Sequence, residues 1–290
     1  MDFFIYLYSG LNNKLIPLIS LLRIANKENK KIYCVWGEDA YCDKTIIQYH
    51  HLFEPIDNII FIDKNKFVQE FNNSNNKIYN KNGSDRDRNE IIYSKNNTKS
   101  VFFRIVHAIS YKDDNVIGNF VPYPRTTVYE NNFIKEMRNN AKKFIPKKMI
   151  QNIVDETLTN FNKDQTIGLH IRTTDGGFTD IPKNEINPFI NSLTNKYPTY
   201  KIYISCDNIE TENDIINNFG NTIVKLDKPF GKSYEDKFNR FTYGTINAVC
   251  EMLILSKCNI FYGTPSSSFT FSTWLLRNDN ELNFWCNNPW

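Results

Sequence analysis

The run Thr166-Ile167-Gly168-Leu169-His170-Ile171-Arg172-Thr173-Thr174-Asp175 ends an apolar stretch with two basic side chains two residues apart. Side chains alternate along a β-strand. Ile167, Leu169 and Ile171 therefore share one face, and Gly168, His170 and Arg172 share the other. In parallel α/β sheets, ligands bind beyond the carboxyl ends of the strands. An Arg at that end suits a phosphate, because its planar fork makes two charge-assisted hydrogen bonds. The same guanidinium could instead pair with a local carboxylate such as Asp175. A second pattern of this kind is Gly263-Thr264-Pro265-Ser266-Ser267-Ser268-Phe269, which joins a strand to a helix. Free backbone N–H groups at a helix N-terminus form an anion site, and hydroxyls add donors. Plain capping would need only one of these serines. Asp207 directly follows a strand and precedes a helix. It either caps that helix or accepts bonds from a base or sugar. The tight turn Ser9-Gly10-Leu11-Asn12-Asn13-Lys14 links the first strand to the first helix, with Asn in a place that tolerates left-handed backbone.

Those residues need elements to carry them. Residues 3–8 and 31–36 read as strands. Between them, 13–26 carries Leu15, Leu18, Ile19, Leu22 and Ala25 at helical period. Pro17 is expected in the first turn of that helix or bending it. A third strand is expected at 58–62. This order implies a parallel sheet. Residues 72–100 are mostly Asn, Lys, Ser, Asp and Arg, which marks a surface loop or insertion. Apolar character returns at 101–111, and helices are expected at 131–144 and 147–161. A second alternation places strands at 166–171, 201–205, 222–226 and 259–262. Helices are expected at about 184–195, 209–219, 244–257 and 267–277. In the third of these, Ile246, Val249, Leu253 and Ser256 share a face. The predicted architecture is α/β, with two Rossmann-like domains, 1–160 and 161–290, facing a central cleft.

The totals narrow the function classes. The 290 residues carry a net charge of +3, with 41% hydrophobic and 14% aromatic residues. That charge is too small to argue for nucleic acid, and no basic stripe interleaved with aromatics occurs. No apolar stretch reaches about 18 residues, so no transmembrane span is expected. The start Met1-Asp2-Phe3-Phe4 lacks the basic region of a signal peptide. The chain as given reads as cytoplasmic. Six cysteines occur without a CxxC pair, mostly inside apolar runs, and read as reduced core residues.

The order of these motifs resembles that of the GDP-fucose-dependent fucosyltransferases of GT-B fold. That superfamily includes the α1,2-, α1,6- and protein O-fucosyltransferases. Its Gly-Leu-Gly-Asn-Arg/Gln turn reads here Gly10-Leu11-Asn12-Asn13-Lys14. Its His-x-Arg-Arg-x-Asp motif reads His170-Ile171-Arg172-Thr173-Thr174-Asp175. Its strand-end Asp is Asp207, and its Asp-x-Leu-Leu-Leu-Ser helix reads Glu251-Met252-Leu253-Ile254-Leu255-Ser256. Its Ser-Ser-Phe-Ser element reads Ser267-Ser268-Phe269-Thr270. The likeness covers 3–36 and 165–276. It implies that His170 and Asp207 hold the guanine or ribose, and that Arg172 neutralises the β-phosphate as it leaves. Ser266, Ser267, Ser268 and Phe269 would line the diphosphate. Asn12 and Asn13 would approach the donor from the other domain, and Arg240 resembles an Arg found in some relatives. Thr173 stands where the family has a second Arg, Asn12 where it has Gly, and Glu251 where it has Asp.

The expected activity is thus an inverting transfer of fucose from GDP-fucose to a glycan or glycoprotein acceptor. The only neat Asp-x-Asp, Asp85-Arg86-Asp87, lies in the polar insertion, and none of the four His has ligand spacing on a helix. No metal and no other cofactor is therefore expected. Arg172 and the serine-capped helix would offset the leaving-group charge. The acceptor hydroxyl needs a base, for which Asp175, Asp180, Glu38 and Asp39 are candidates. Two other readings stay open: another nucleoside-diphosphate sugar, or a non-catalytic nucleotide- or glycan-binding homologue.

Overall fold

The structure is a computed structural model. It describes residues 2–7, 10–36, 49–72, 76–79, 99–103, 132–173, 183–227, 244–265, 267–279 and 281–286. The chain divides into two compact units, Met1–Pro122 with Asn131–Pro146, and Tyr123–Glu130 with Lys147–Trp290.

The first unit is built on five strands: β1 (Phe3–Leu7), β2 (Ile32–Trp36), β3 (Ile59–Phe61), β4 (Asn76–Tyr79) and β5 (Lys99–Phe103). All pair in parallel, in the order β3-β2-β1-β5-β4. Central β1 is Phe-Phe-Ile-Tyr-Leu, buried at every residue. A parallel strand covered on both faces calls for such an unbroken apolar run. β4 lies inside the segment expected as a polar loop. It is held through its backbone ladder to β5, with Ile78 opposite Val101, and composition carries no record of a backbone ladder.

Helix α1 (Leu11–Glu28) follows β1; α2 (Tyr49–Leu52), α3 (Lys64–Asn72) and α4 (Asn132–Ala141) complete this unit's helices among the described residues. α1 begins two residues before the expected start, so Pro17 falls in its second turn rather than its first. There the missing N–H omits one helical hydrogen bond. The helix ends at Asn29, whose φ of 51° is left-handed, and the Lys30 N–H closes on the Ala25 carbonyl at 2.8 Å. α1 packs on β1, β2 and α4. Arg23 and Lys27 meet Glu136 of α4 at 3.1 and 2.6 Å.

The second unit repeats the plan with β6 (Thr166–Ile171), β7 (Lys201–Cys206), β8 (Ile223–Lys225), β9 (Ile260–Gly263) and β10 (Asn283–Phe284). They pair in parallel in the order β10-β9-β6-β7-β8. Its helices are α5 (Lys148–Thr159), α6 (Ile186–Lys196), α7 (Ile209–Phe219), α8 (Gly244–Lys257) and α9 (Ser268–Leu276). α5 packs on α8, and the stretch Lys147–Trp290 that contains both falls in this unit. On one sheet face Ile167, Leu169, Ile171, Ile202 and Ile204 bury against Ile186, Ile190 and Leu193 of α6 and Ile215 of α7. On the other, Gly168 lets α8 lie close: a Cβ there would come 2.9 Å from Leu255.

α8 departs from the expected single stripe. Its buried residues are Val249, Cys250, Glu251, Met252, Ile254 and Leu255, whereas Ile246, Leu253 and Ser256 are only half-buried. The helix touches β6 and β7, α5 and α9. A helix wrapped on several sides buries most of its circumference rather than one face. Arg277, itself buried, caps its C-terminus. Nη1 donates to the carbonyls of Leu255 and Cys258 at 3.3 and 2.8 Å, and Nη2 donates to that of Asn259 at 3.0 Å. A cation on the last carbonyls also suits the helix dipole. Arg277→Met is expected to cost about 2 kcal/mol, read as a lower urea midpoint at unchanged m-value.

Cys34, Cys206, Cys250, Cys258 and Cys286 are free and buried; Cys42 lies outside the described residues. Burial pushes the thiols of Cys250, Cys258 and Cys286 up to about 12, and that of Cys34 higher still. Only the thiolate alkylates, so at about pH 8 maleimide should label none of these four in the native protein and all of them after unfolding. Labelling of any of them at the unfolded rate would contradict the packing. Among the described residues, no helix is long and apolar enough to cross a membrane.

Candidate active site

The carboxyl edge of the second sheet gathers three strand ends. Because β6, β7 and β9 are parallel, Arg172, Asp207 and Thr264 leave the sheet on the same side.

His170 is buried on the β6 face opposite Ile171. Its Nδ1 lies 2.8 Å from the Thr270 hydroxyl, and its ring stacks on Phe269 with centroids 4.6 Å apart. The two members of the His–x–Arg pair therefore do different work. His170 is tied into α9, while the half-buried Arg172 sits just past the strand. Gly263 makes that tie possible. A Cβ at this position would stand 2.1 Å from the Thr270 methyl carbon.

The hydroxyl of Thr264 donates to the His170 carbonyl at 2.8 Å and accepts the Arg172 N–H at 3.1 Å. The Trp285 indole N–H reaches the same carbonyl at 3.0 Å and the same hydroxyl at 3.1 Å.

Asp207 is exposed and does not cap α7. Asn208 does so, its side chain accepting the Thr211 N–H at 2.8 Å. Asp207 Oδ1 instead accepts the Thr173 N–H at 2.8 Å and the Thr173 hydroxyl at 3.3 Å. The capping alternative is thus excluded by the neighbouring Asn. Thr173, the position that breaks the motif, is what orients this carboxylate.

α9 starts at Ser268, with Ser267 as its N-cap residue. Ser267 makes no side-chain capping bond, and its buried hydroxyl has no hydrogen-bond partner among the described residues. A hydroxyl in this state is costly unless a ligand satisfies it. Together with the free N–H groups of the first turn, it can receive an anion. Ser268 is buried beside it and Phe269 half-buried. In the first unit, Asn12 and Asn13 open α1. Asn12 is buried, and its Oδ1 has no hydrogen-bond partner among the described residues. Asp175, Asp180, Arg240, Ser266, Glu38 and Asp39 lie outside the described residues. Among the described residues, no group of three His, Cys, Asp or Glu side chains is placed to hold a metal ion.

Sequence reasoning passed over Thr264, Thr270 and Trp285. The first two lie inside quoted motifs, and their β-branched hydroxyls next to Gly263 and Phe269 were the available signal. Trp285 carried none, because a two-residue strand leaves no periodicity.

The two parallel-sheet α/β units have the mixed α/β fold that solved fucosyltransferases share. No family model and no curated protein matches the sequence. Among solved structures, the chain resembles NodZ alpha-1,6-fucosyltransferase soaked with GDP-fucose at TM-score 0.60 and 16% identity, covering 95% of this chain and 92% of that one. A structure of fucosyltransferase NodZ from Bradyrhizobium matches at 0.60 and 15% identity, over 95% and 93% of the two chains. POFUT1 in complex with GDP matches at 0.56 and 8% identity, over 98% and 97%. A mutant of Arabidopsis thaliana FUT1 in complex with GDP matches at 0.52 and 13% identity, over 95% and 68%. At these identities the likeness is one of fold.

Proposed function

We propose that the chain is a glycosyltransferase that moves fucose from GDP-fucose to a glycan acceptor, with inversion and without a metal. The second unit would bind the donor and the first would face the acceptor. The observation that carries this reading is the α9 N-terminus, with a Ser267 hydroxyl that has no partner among the described residues, on the same sheet edge as Arg172, in a fold whose solved examples include one soaked with GDP-fucose.

As the glycosidic bond breaks, the leaving diphosphate gains negative charge. Arg172, the α9 amides and the Ser266, Ser267 and Ser268 hydroxyls would offset it, stabilising the transition state beyond the ground state. His170 and Asp207 would hold the guanine or ribose, Asp207 oriented by Thr173. Phe269 would line the diphosphate. Asn12, Asn13 and Arg240 would complete the donor contacts. Asp175 is our candidate base for the acceptor hydroxyl.

GDP release from GDP-fucose, measured with and without EDTA, tests this directly. The expected result is turnover indifferent to EDTA, a product anomer opposite to that of the donor, and a thermal shift with GDP larger than with UDP, CDP or dTDP. A requirement for Mn²⁺ would sink the metal-free mechanism, and a shift with UDP alone would sink the guanine assignment. One observation favours a second reading. Thr173 replaces a family Arg and is committed to Asp207, which suits a homologue that binds nucleotide without transfer. GDP binding lost in Arg172→Ala, with no turnover by the wild type, would select it.

A further inference from the structure

We infer that the Thr264 hydroxyl and the Trp285 indole form a clasp that positions Arg172; this rests on the donor-site reading above. β6 pairs with β9 from Ile167↔Ile260 to Leu169↔Tyr262 and no further. Past that point side chains take over from the ladder. Thr264 Oγ1 bridges the His170 carbonyl (2.8 Å) and the Arg172 N–H (3.1 Å). The Trp285 N–H is shared between that carbonyl and that hydroxyl. Trp285 is itself moored beyond β10, its backbone N–H donating to the Gly263 carbonyl at 3.3 Å.

Both residues are buried, Thr264 to 1% exposure and Trp285 to 4%, so bulk water does not compete with these bonds. A hydroxyl has one donor and two acceptor sites. At Thr264 all three are used, by the His170 carbonyl, the Arg172 N–H and the Trp285 N–H. Serine can reproduce that set and valine, of the same shape, cannot. Pinning the Arg172 N–H fixes the Cα from which the guanidinium reaches out. A misplacement of about 1 Å at a reacting centre costs about 100-fold in rate. Thr264 and Trp285 are thus positioning residues that act through Arg172.

The test compares Thr264→Val, Thr264→Ser, Trp285→Phe and Thr166→Val. Thr166→Val removes a buried hydroxyl at the opposite end of β6, where it donates to the Asn162 carbonyl at 2.6 Å. Each variant is read by kcat for GDP-fucose turnover, GDP affinity, and hydrogen exchange of the Arg172 amide by NMR. Thr264→Val should lose Arg172 amide protection and about 100-fold in kcat, while Thr264→Ser and Thr166→Val stay within about threefold of wild type. The clasp is overturned if protection is lost but kcat kept, if Ser rescues no better than Val, or if Thr166→Val loses as much. If Thr264→Val does not fold, Trp285→Phe decides: about a tenfold loss with faster Arg172 exchange supports the clasp, and unchanged values overturn it. A wild type that turns over no GDP-fucose removes the transferase reading. The amide exchange and GDP affinity of Thr264→Val then judge the clasp alone, and retained protection overturns it.

Discussion

Arg172→Ala is expected to lower GDP-fucose turnover about 100- to 1,000-fold, the range lost when one fixed donor to a developing charge is removed. Arg172 lies past the end of β6, half-buried, with its backbone N–H held by Thr264 at 3.1 Å. The substitution removes the side chain beyond Cβ and leaves the backbone intact. The backbone bonds, His170 and the β6 ladder stay, so the urea midpoint should move little while activity falls. Arg172→Lys keeps the charge but loses the planar two-bond fork, and should recover only part of the loss. Steady-state kinetics with a parallel urea melt check both. A fall in activity matched by an equal fall in stability would mean that Arg172 is structural, and activity within a few-fold of wild type would remove it from the donor site.

Gly263→Val is expected to cost more than about 3 kcal/mol, at the upper end of overpacking penalties. A Cβ at Gly263 meets the Thr270 methyl carbon at 2.1 Å and its Oγ1 at 2.8 Å. The obstacle is a β-branched side chain on a buried helix, which has little freedom to turn away. α9 must therefore shift from the sheet. The shift separates Thr270 Oγ1 from His170 Nδ1 and displaces the helix N-terminus with Ser267. Stability and GDP affinity should then fall together, unlike Arg172→Ala. Thr270→Ala in the Gly263→Val background removes the clashing methyl and should recover part of the stability, a coupling that adjacent sites show in a double-mutant cycle. Full additivity of the two substitutions would mean that the close approach is not what Gly263 serves.

The alternation of strand and helix was legible because each element carries its own period. β1, β6 and β7 are continuous apolar runs of parallel-sheet character, and α6 and α7 carry apolar residues at helical spacing. β4 and β10 were not legible. Four residues of a polar stretch and two near the chain end become strands only through the backbone of a neighbour. The buried faces of α8 were not legible either, since the number of elements packed around a helix is not written in its own period.

At the site, the residue types and their places at strand ends were readable. Arg172, Asp207 and Ser267 follow strands or open a helix, and parallel topology brings such ends to one edge whatever lies between them. What each side chain does there was decided by tertiary structure alone. Asp207 meets Thr173 because β6 and β7 lie side by side, with Ile171 opposite Cys206. His170 turns to Thr270 because Gly263 lets α9 approach. Trp285 reaches the His170 carbonyl across 115 residues of chain. Local sequence sets backbone preference and the alternation of faces, which act over a few residues. A hydrogen bond between residues 34, 100 or 115 apart depends on the register of strands that only the assembled sheet defines.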